Sequence, residues 1–221
     1  MNTETLSAEE QQSFLAAAAR TKAAALRHLR AVPDVHQTIH FITKLQTAVD
    51  GVTQAAAARG VKSDCRAGCS HCCSARVEAL PAEIFAVARA LQGQGAEEHT
   101  RLLARLQHHA QLTQEGAHID RTVDCPFLEN HLCSIYALRP ATCRKAHSLD
   151  VRQCRQSELG ADIPQDLDTV LRADALSKGT ADAYRELGLQ ASGHAFAPAV
   201  LRALVDASIE PRWLAGEAVF S

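Results

Sequence analysis

The sequence predicts a mainly α protein: a helical bundle around an irregular, cysteine-rich metal-binding centre that includes a short β-hairpin. Three observations lead there. The 221-residue chain holds 41 alanines against one Trp, two Tyr and six Phe. Ala has the best helix propensity, whereas strands favour branched and aromatic side chains. Apolar residues recur at helical spacing on both sides of the middle of the chain. All eight cysteines (Cys65, Cys69, Cys72, Cys73, Cys125, Cys133, Cys143 and Cys154) lie within residues 65–154. The length suits one domain, 1–221. Within it the expected parts are an N-terminal helical hairpin (1–60), a cysteine-cluster core (64–155) and C-terminal helices (160–221).

Ser7 and Glu10 stand at capping-box spacing, so a helix should run from there to about Val32, before Pro33. Asp34 and Gln37 repeat the signal. Val35, Ile39, Ile42, Leu45, Val49 and Val52 then form one apolar stripe ending near Gly60. Pro81 suits the first turn of a helix that reaches about Leu91 and stops at Gly93. Leu102, Leu103, Leu106 and Ala110 mark another, ending before Gly116. Cys125 and Cys133 flank Glu129-Asn130-His131, which reads as the tip of a hairpin between residues 126–128 and 134–136. Pro140 opens a short helix carrying Cys143. Leu167, Val170 and Leu171 begin a further helical pattern, and Pro198 to Val205 a late one.

The charge balance argues against several function classes. Lys and Arg number 23 against 25 acids, so no basic excess points to nucleic acid and no polybasic run to an anionic membrane. The start, MNTETLSAEEQQ, is polar and acidic, unlike a secretory signal. Phe14 to Ala19 is far shorter than the ~20 residues of a membrane span. A cytoplasmic protein is the expectation. In a reducing compartment eight cysteines argue for metal or redox chemistry rather than a disulfide scaffold.

The first cysteine group reads D-C-R-A-G-C-S-H-C-C-S-A-R over residues 64–76. On one straight helix the four thiols would share a face, but they would spread over ~12 Å at 1.5 Å per residue. Zinc holds thiolates at ~2.3 Å. Either Gly68 bends the chain into a knuckle, or the thiols are divided between two metals or a cluster; a glycine that tolerates left-handed backbone favours the bend. Cys69-Ser70-His71-Cys72 also has redox C-x-x-C spacing, but no βαβ pattern surrounds it. His71 suits a second-shell or exposed place better than ligation.

In the second group Cys125, Cys133 and Cys143 supply three thiols, and a four-ligand site needs a donor from the first group or Cys154. Bringing residues 65–73 against 125–143 is the economical solution, with Cys154 peripheral. From Arg121 to Arg155 six basic residues face three acids, which offsets the negative charge of a thiolate-bound cation.

Cys65-x3-Cys69-x2-Cys72-Cys73, followed by Cys125-Pro126-Phe127-Leu128 and then Cys133-Ser134-Ile135-Tyr136-x2-Arg139-Pro140-x2-Cys143-Arg144, resembles the YkgJ-like cysteine-cluster proteins. The resemblance covers about residues 64–154. It implies zinc or iron chelation through the cysteines, with Arg139 and Arg144 supporting the ligands. A similar cluster in flagellin lysine methylases keeps an iron–sulfur enzyme in view. Leu138 stands where the family often has an acid, and Leu132 where Gly is usual.

Other arrangements carry less. His36 and His40 lie one helical turn apart but lack the Glu of a metalloprotease and flank Thr43, Lys44 and Thr47. His99, His108 and His109 read as polar helical surface, and His147, close behind Cys143, is the better outside candidate, with ligation the minority outcome. No phosphate loop, dinucleotide fingerprint or G-x-S-x-G is present. The sequence thus predicts a protein chelating zinc, or iron, through all eight cysteines, in a structural or metal-handling role. The alternative is an iron–sulfur protein with redox or methyltransferase-associated activity. Catalysis is left open.

Overall fold

The first helix opens as its residues require. In the computed structural model, which describes residues 6–31, 35–93, 95–114, 123–156 and 163–221, the Glu10 carboxylate accepts the Ser7 N–H at 2.8 Å. The Ser7 hydroxyl accepts the Glu10 N–H at 3.3 Å. This reciprocal cap starts α1 (Ala8–Ala31). Asp34 lies outside the described residues. The apolar stripe that follows is split at Phe41 into α2 (Val35–His40) and α3 (Ile42–Ala58), with Ile39, Ile42, Leu45 and Val49 all buried. Pro81 starts α4 (Pro81–Gln92), Gly93 caps it, and α5 (Ala96–Gln114) follows.

The middle of the chain holds two short strands, β2 (Leu128–Glu129) and β3 (Leu132–Cys133), and two short helices, α6 (Ala141–Lys145) and α7 (Val151–Gln156). The end of the chain folds as α8 (Leu167–Glu186), α9 (Phe196–Val205) and α10 (Ile209–Leu214). A second antiparallel pair joins β1 (Glu78–Ala79) to β4 (His194–Ala195), tying the residues just after the first cysteine group to the C-terminal part. The architecture is mainly α, as predicted.

The central element is α8, against which both α1 and α3 pack, while α4 and α5 pack on α9. Gly179 makes the α1–α8 crossing. A Cβ there would stand 2.4 Å from the Ala18 carbonyl oxygen, 2.6 Å from Thr21 Cβ and 2.9 Å from the Lys22 nitrogen. Gly179→Ala should therefore destabilise by about 1–3 kcal/mol through overpacking, although Ala gains about 1 kcal/mol of helix propensity over Gly. Urea unfolding measures it, and a variant as stable as the parent would show that α1 can move aside.

The core is built from few rings placed centrally. Trp213 and Phe85 are 5.3 Å apart by ring centroid, Phe85 and Phe220 5.5 Å, and Trp213 and Tyr184 6.0 Å. The Gln190 side chain fastens the last residues: its Oε1 accepts the Val219 and Phe220 N–H groups and its Nε2 donates to the Phe220 carbonyl. No described helix is long and apolar enough to cross a membrane.

Candidate metal centre

The first cysteine group does not form one helix. Gly68 has φ +84°, the left-handed region where a β-carbon is costly. After it the chain enters a 3-10 turn at His71–Ser74 that carries Cys72 and Cys73. The preceding residues are strapped to the segment before α7. The Asp64 N–H donates to the Ser148 carbonyl at 2.9 Å, and the Asp64 carboxylate accepts the Val151 N–H at 3.1 Å. The 3-10 turn packs on α7, where Arg155 Nε lies 3.4 Å from His71 Nε2.

The second group is shaped by a tight turn. Asn130 and His131 have φ of 49° and 63°, as a two-residue type I′ hairpin turn requires at both positions. Glu129 pairs with Leu132 and Leu128 with Cys133. The strands are thus 128–129 and 132–133, not the expected 126–128 and 134–136. The two-residue turn starts pairing at once, and Phe127 and Ile135 are drawn into the core instead, with Phe127 against Phe196 at 5.5 Å. Two backbone bonds to sulfur result: Phe127 N–H donates to Cys125 and Ile135 N–H to Cys133. Arg105 of α5 holds the hairpin through the Leu128 carbonyl at 3.0 Å and the Glu129 carboxylate.

The two groups meet directly. The Cys125 N–H donates to the Cys73 carbonyl at 2.7 Å, and Ser70 Oγ lies 3.1 Å from His131 Nδ1. Helix α6 adds Cys143. The thiols sense one another. The Cys73 thiol is pushed up by its hydrogen bond with Cys72, by burial and by the charges of Cys72, Cys125 and Cys133. Burial, helped by Cys133 and Cys72, pushes Cys125 up to about 11, against the Phe127 N–H and Arg105. Burial, with Cys125, Cys72 and Cys133, takes Cys143 to about 12, against Arg139. Cys133 is raised by burial and by Cys72, against the Ile135 N–H and Arg139. A cation placed among these sulfurs would reverse that repulsion, with the thiols giving up their protons.

As the chain stands, no group of three or more described His, Cys, Asp or Glu side chains is arranged to hold a metal ion. The donor set nevertheless fits a thiophilic cation: five sulfurs with N–H bonds to two of them and guanidinium groups beside them. Of the other predicted ligands, Cys65 is exposed, Cys69 is half-buried just after Gly68, and Cys154 is buried on α7. None of the eight cysteines is in a disulfide.

The predicted supporting residues divide. Arg139 stacks on Tyr136, 3.6 Å from guanidinium carbon to ring centroid, and lowers the thiol pKa of Cys133 and Cys143. Arg144 bonds the Ala137 and Arg139 carbonyls and the Asp50 carboxylate, fixing the turn between Cys133 and Cys143. His147 is a bridge: its Nδ1 contacts the Lys145 carbonyl and its Nε2 accepts the Asp166 N–H, both at 2.9 Å. Both ring nitrogens are thereby engaged. His36 and His40 are exposed. His99 and His109 are not plain surface residues, since each buries an Nδ1 with no hydrogen-bond partner among the described residues. An apolar pocket of about 300 Å³ between α1, α3 and α8 includes no cysteine.

Residues 64–162 match the family model CxxCxxCC, described as a "Putative zinc- or iron-chelating domain". This segment is similar to that domain. The match is to the kind of cysteine-cluster chelating domain that the motif resembles, and it supports metal binding in general. The matched segment spans the 3-10 turn, the hairpin, α6 and α7, together with α4 and α5. No curated protein and no solved structure matches the chain.

Proposed function

We propose that the cysteine-rich segment binds zinc in a closed, all-thiolate site formed by Cys72, Cys125, Cys133 and Cys143, and that the metal stabilises the fold by pinning the two cysteine stretches together. The observation that carries this reading is the 2.7 Å backbone bond from Cys125 to Cys73, which brings the two cysteine stretches into contact. Four thiolates with no open position are typical of structural zinc. Cys65, Cys69, Cys73 and Cys154 are the four donors left for a second, outer site. A reducing compartment, where thiols stay free, suits this role.

A second reading is an iron–sulfur cluster with redox or methyltransferase-associated activity. It is favoured by the N–H bonds to Cys125 and Cys133 and by Arg105 and Arg139, since such groups tune cluster potentials. Anaerobic purification followed by metal and sulfide analysis separates the two. Colourless protein with stoichiometric zinc supports the first; brown protein with iron and acid-labile sulfide supports the second. For the structural role, verified removal of metal by a strong chelator should lower the melting temperature sharply. An unchanged melt would sink it.

A further inference from the structure

Helix α6 is only five residues long, Ala141–Lys145, too short to hold its own position. Four of the five are tied to the helical frame, each to a different element. The Ala141 N–H donates to Glu83 Oε1 of α4 at 2.7 Å. Thr142 Oγ1 donates to the Glu78 carbonyl of β1 at 2.8 Å. Arg144 pairs with Asp50 of α3, and Lys145 with Asp174 of α8. The remaining residue is Cys143.

The Glu83 tie differs from the rest because it is fully inside the protein. Glu83 is 2% exposed, and both carboxylate oxygens are used: Oε1 by Ala141 and Oε2 by the Leu80 N–H at 3.0 Å. One side chain thus caps the first turns of α4 and α6 together. A buried carboxylate is a costly way to cap a helix. Burial pushes its pKa up against the opposing pull of the two N–H groups and Arg144. An ordinary N-cap at the surface would serve α4 alone, with no such cost. What the buried carboxylate adds is the register of α6, and with it the place of Cys143 relative to Cys125 and Cys133.

We propose that Glu83 is a positioning residue of the metal centre, holding the first turn of α6 so that the Cys143 sulfur is preset for the cation. The inference rests on the reading of Cys143 as a ligand. It assigns the four ties different tasks: Arg144 fixes the turn from Cys133, Thr142 and Lys145 hold α6 to β1 and α8, and Glu83 sets its axial position.

The test uses the full-length chain loaded with Co²⁺, whose sulfur-to-metal absorption counts bound thiolates, and a competing chelator to measure affinity. Glu83→Gln should weaken affinity about 10–100-fold, the range for residues that orient metal ligands, and should reduce the sulfur-to-metal band. Glu83→Asp, which keeps the carboxylate but shortens its reach to the Ala141 N–H, should have a smaller effect in the same direction and supplies the readout if Glu83→Gln does not fold. Glu83→Gln added to Cys143→Ser should cost no further affinity, because the two act through one sulfur. Gln190→Ala, which frees the C-terminal residues, should lower stability without changing the cobalt spectrum.

If Glu83→Gln, or Glu83→Asp standing in for it, lowers the melting temperature but leaves spectrum and affinity at the parent values, the residue is merely structural and the inference is overturned. Additive losses in the double variant overturn it as well. A parent protein that takes up no cobalt overturns the metal reading itself, a result distinct from either.

Discussion

Cys133→Ser or Cys72→Ser should strip the protein of most of its metal and reduce its folded yield, while Cys154→Ser leaves most of both. Cys133 sits at the end of the hairpin, with Ile135 N–H on its sulfur and the Leu128 pairing fixing its backbone. Cys72 lies on the 3-10 turn, where it hydrogen-bonds Cys73 and its charge reaches Cys125, Cys133 and Cys143. Both belong to the group of thiols gathered at the junction of the two stretches. Cys154 is instead buried on the short helix α7. Apparent binding energies of structural zinc reach about 10–16 kcal/mol in small domains. Loss of a central donor should therefore cost more than the roughly 10–100-fold in affinity that an outer partner costs. Metal-to-protein ratio after gel filtration, with the fraction of soluble protein, reads the result. Should Cys154→Ser prove the most damaging of the three, the layout of the centre is wrong.

Trp213→Ala should cost about 3–5 kcal/mol, the range for emptying a large aromatic site, out of a total stability that is typically about 5–15 kcal/mol. Trp213 is completely buried, meets Phe85 and Tyr184, and donates its indole N–H to the Gln190 carbonyl at 2.8 Å. Its removal opens a cavity between α4, α8 and α10 and leaves that carbonyl without its donor. Because Gln190 also holds Val219 and Phe220, the end of the chain should loosen with it. Urea unfolding followed by circular dichroism is the appropriate measurement, since Trp213 is the only tryptophan. A loss below about 1 kcal/mol would mean that the neighbouring rings collapse into the space.

Much of the local structure of the cysteine-rich centre was legible because its signals are local. The cysteine spacing, the positive-φ glycine at Gly68, the turn at Asn130-His131 and the Pro140 start of α6 each depend on a few neighbouring residues, and each has its physical cause within the segment. The exact hairpin pairing was less legible. Phe127 packs in the core against Phe196, a residue far along the chain, while its carbonyl still accepts the Ser134 N–H across the hairpin. His147 was the better outside candidate from its nearness to Cys143, and the Asp166 N–H that occupies its Nε2 comes from beyond the cysteine zone, where no local pattern announces it.

Helix positions, the cap of α1 and the sulfur-rich chemistry of the centre follow from residues that act over one or two turns, so composition, periodicity and spacing suffice to read them. Partner choice does not follow in that way. That α1 lies on α8, that Gly179 admits the close crossing, and that Glu83 spans two helix starts are decided by residues 58 to more than 150 positions apart. Such contacts are selected by total burial and steric fit in the assembled core. No local pattern carries that information, because a glycine within a helix or a glutamate in its first turn has the same local character whether it faces water or another helix.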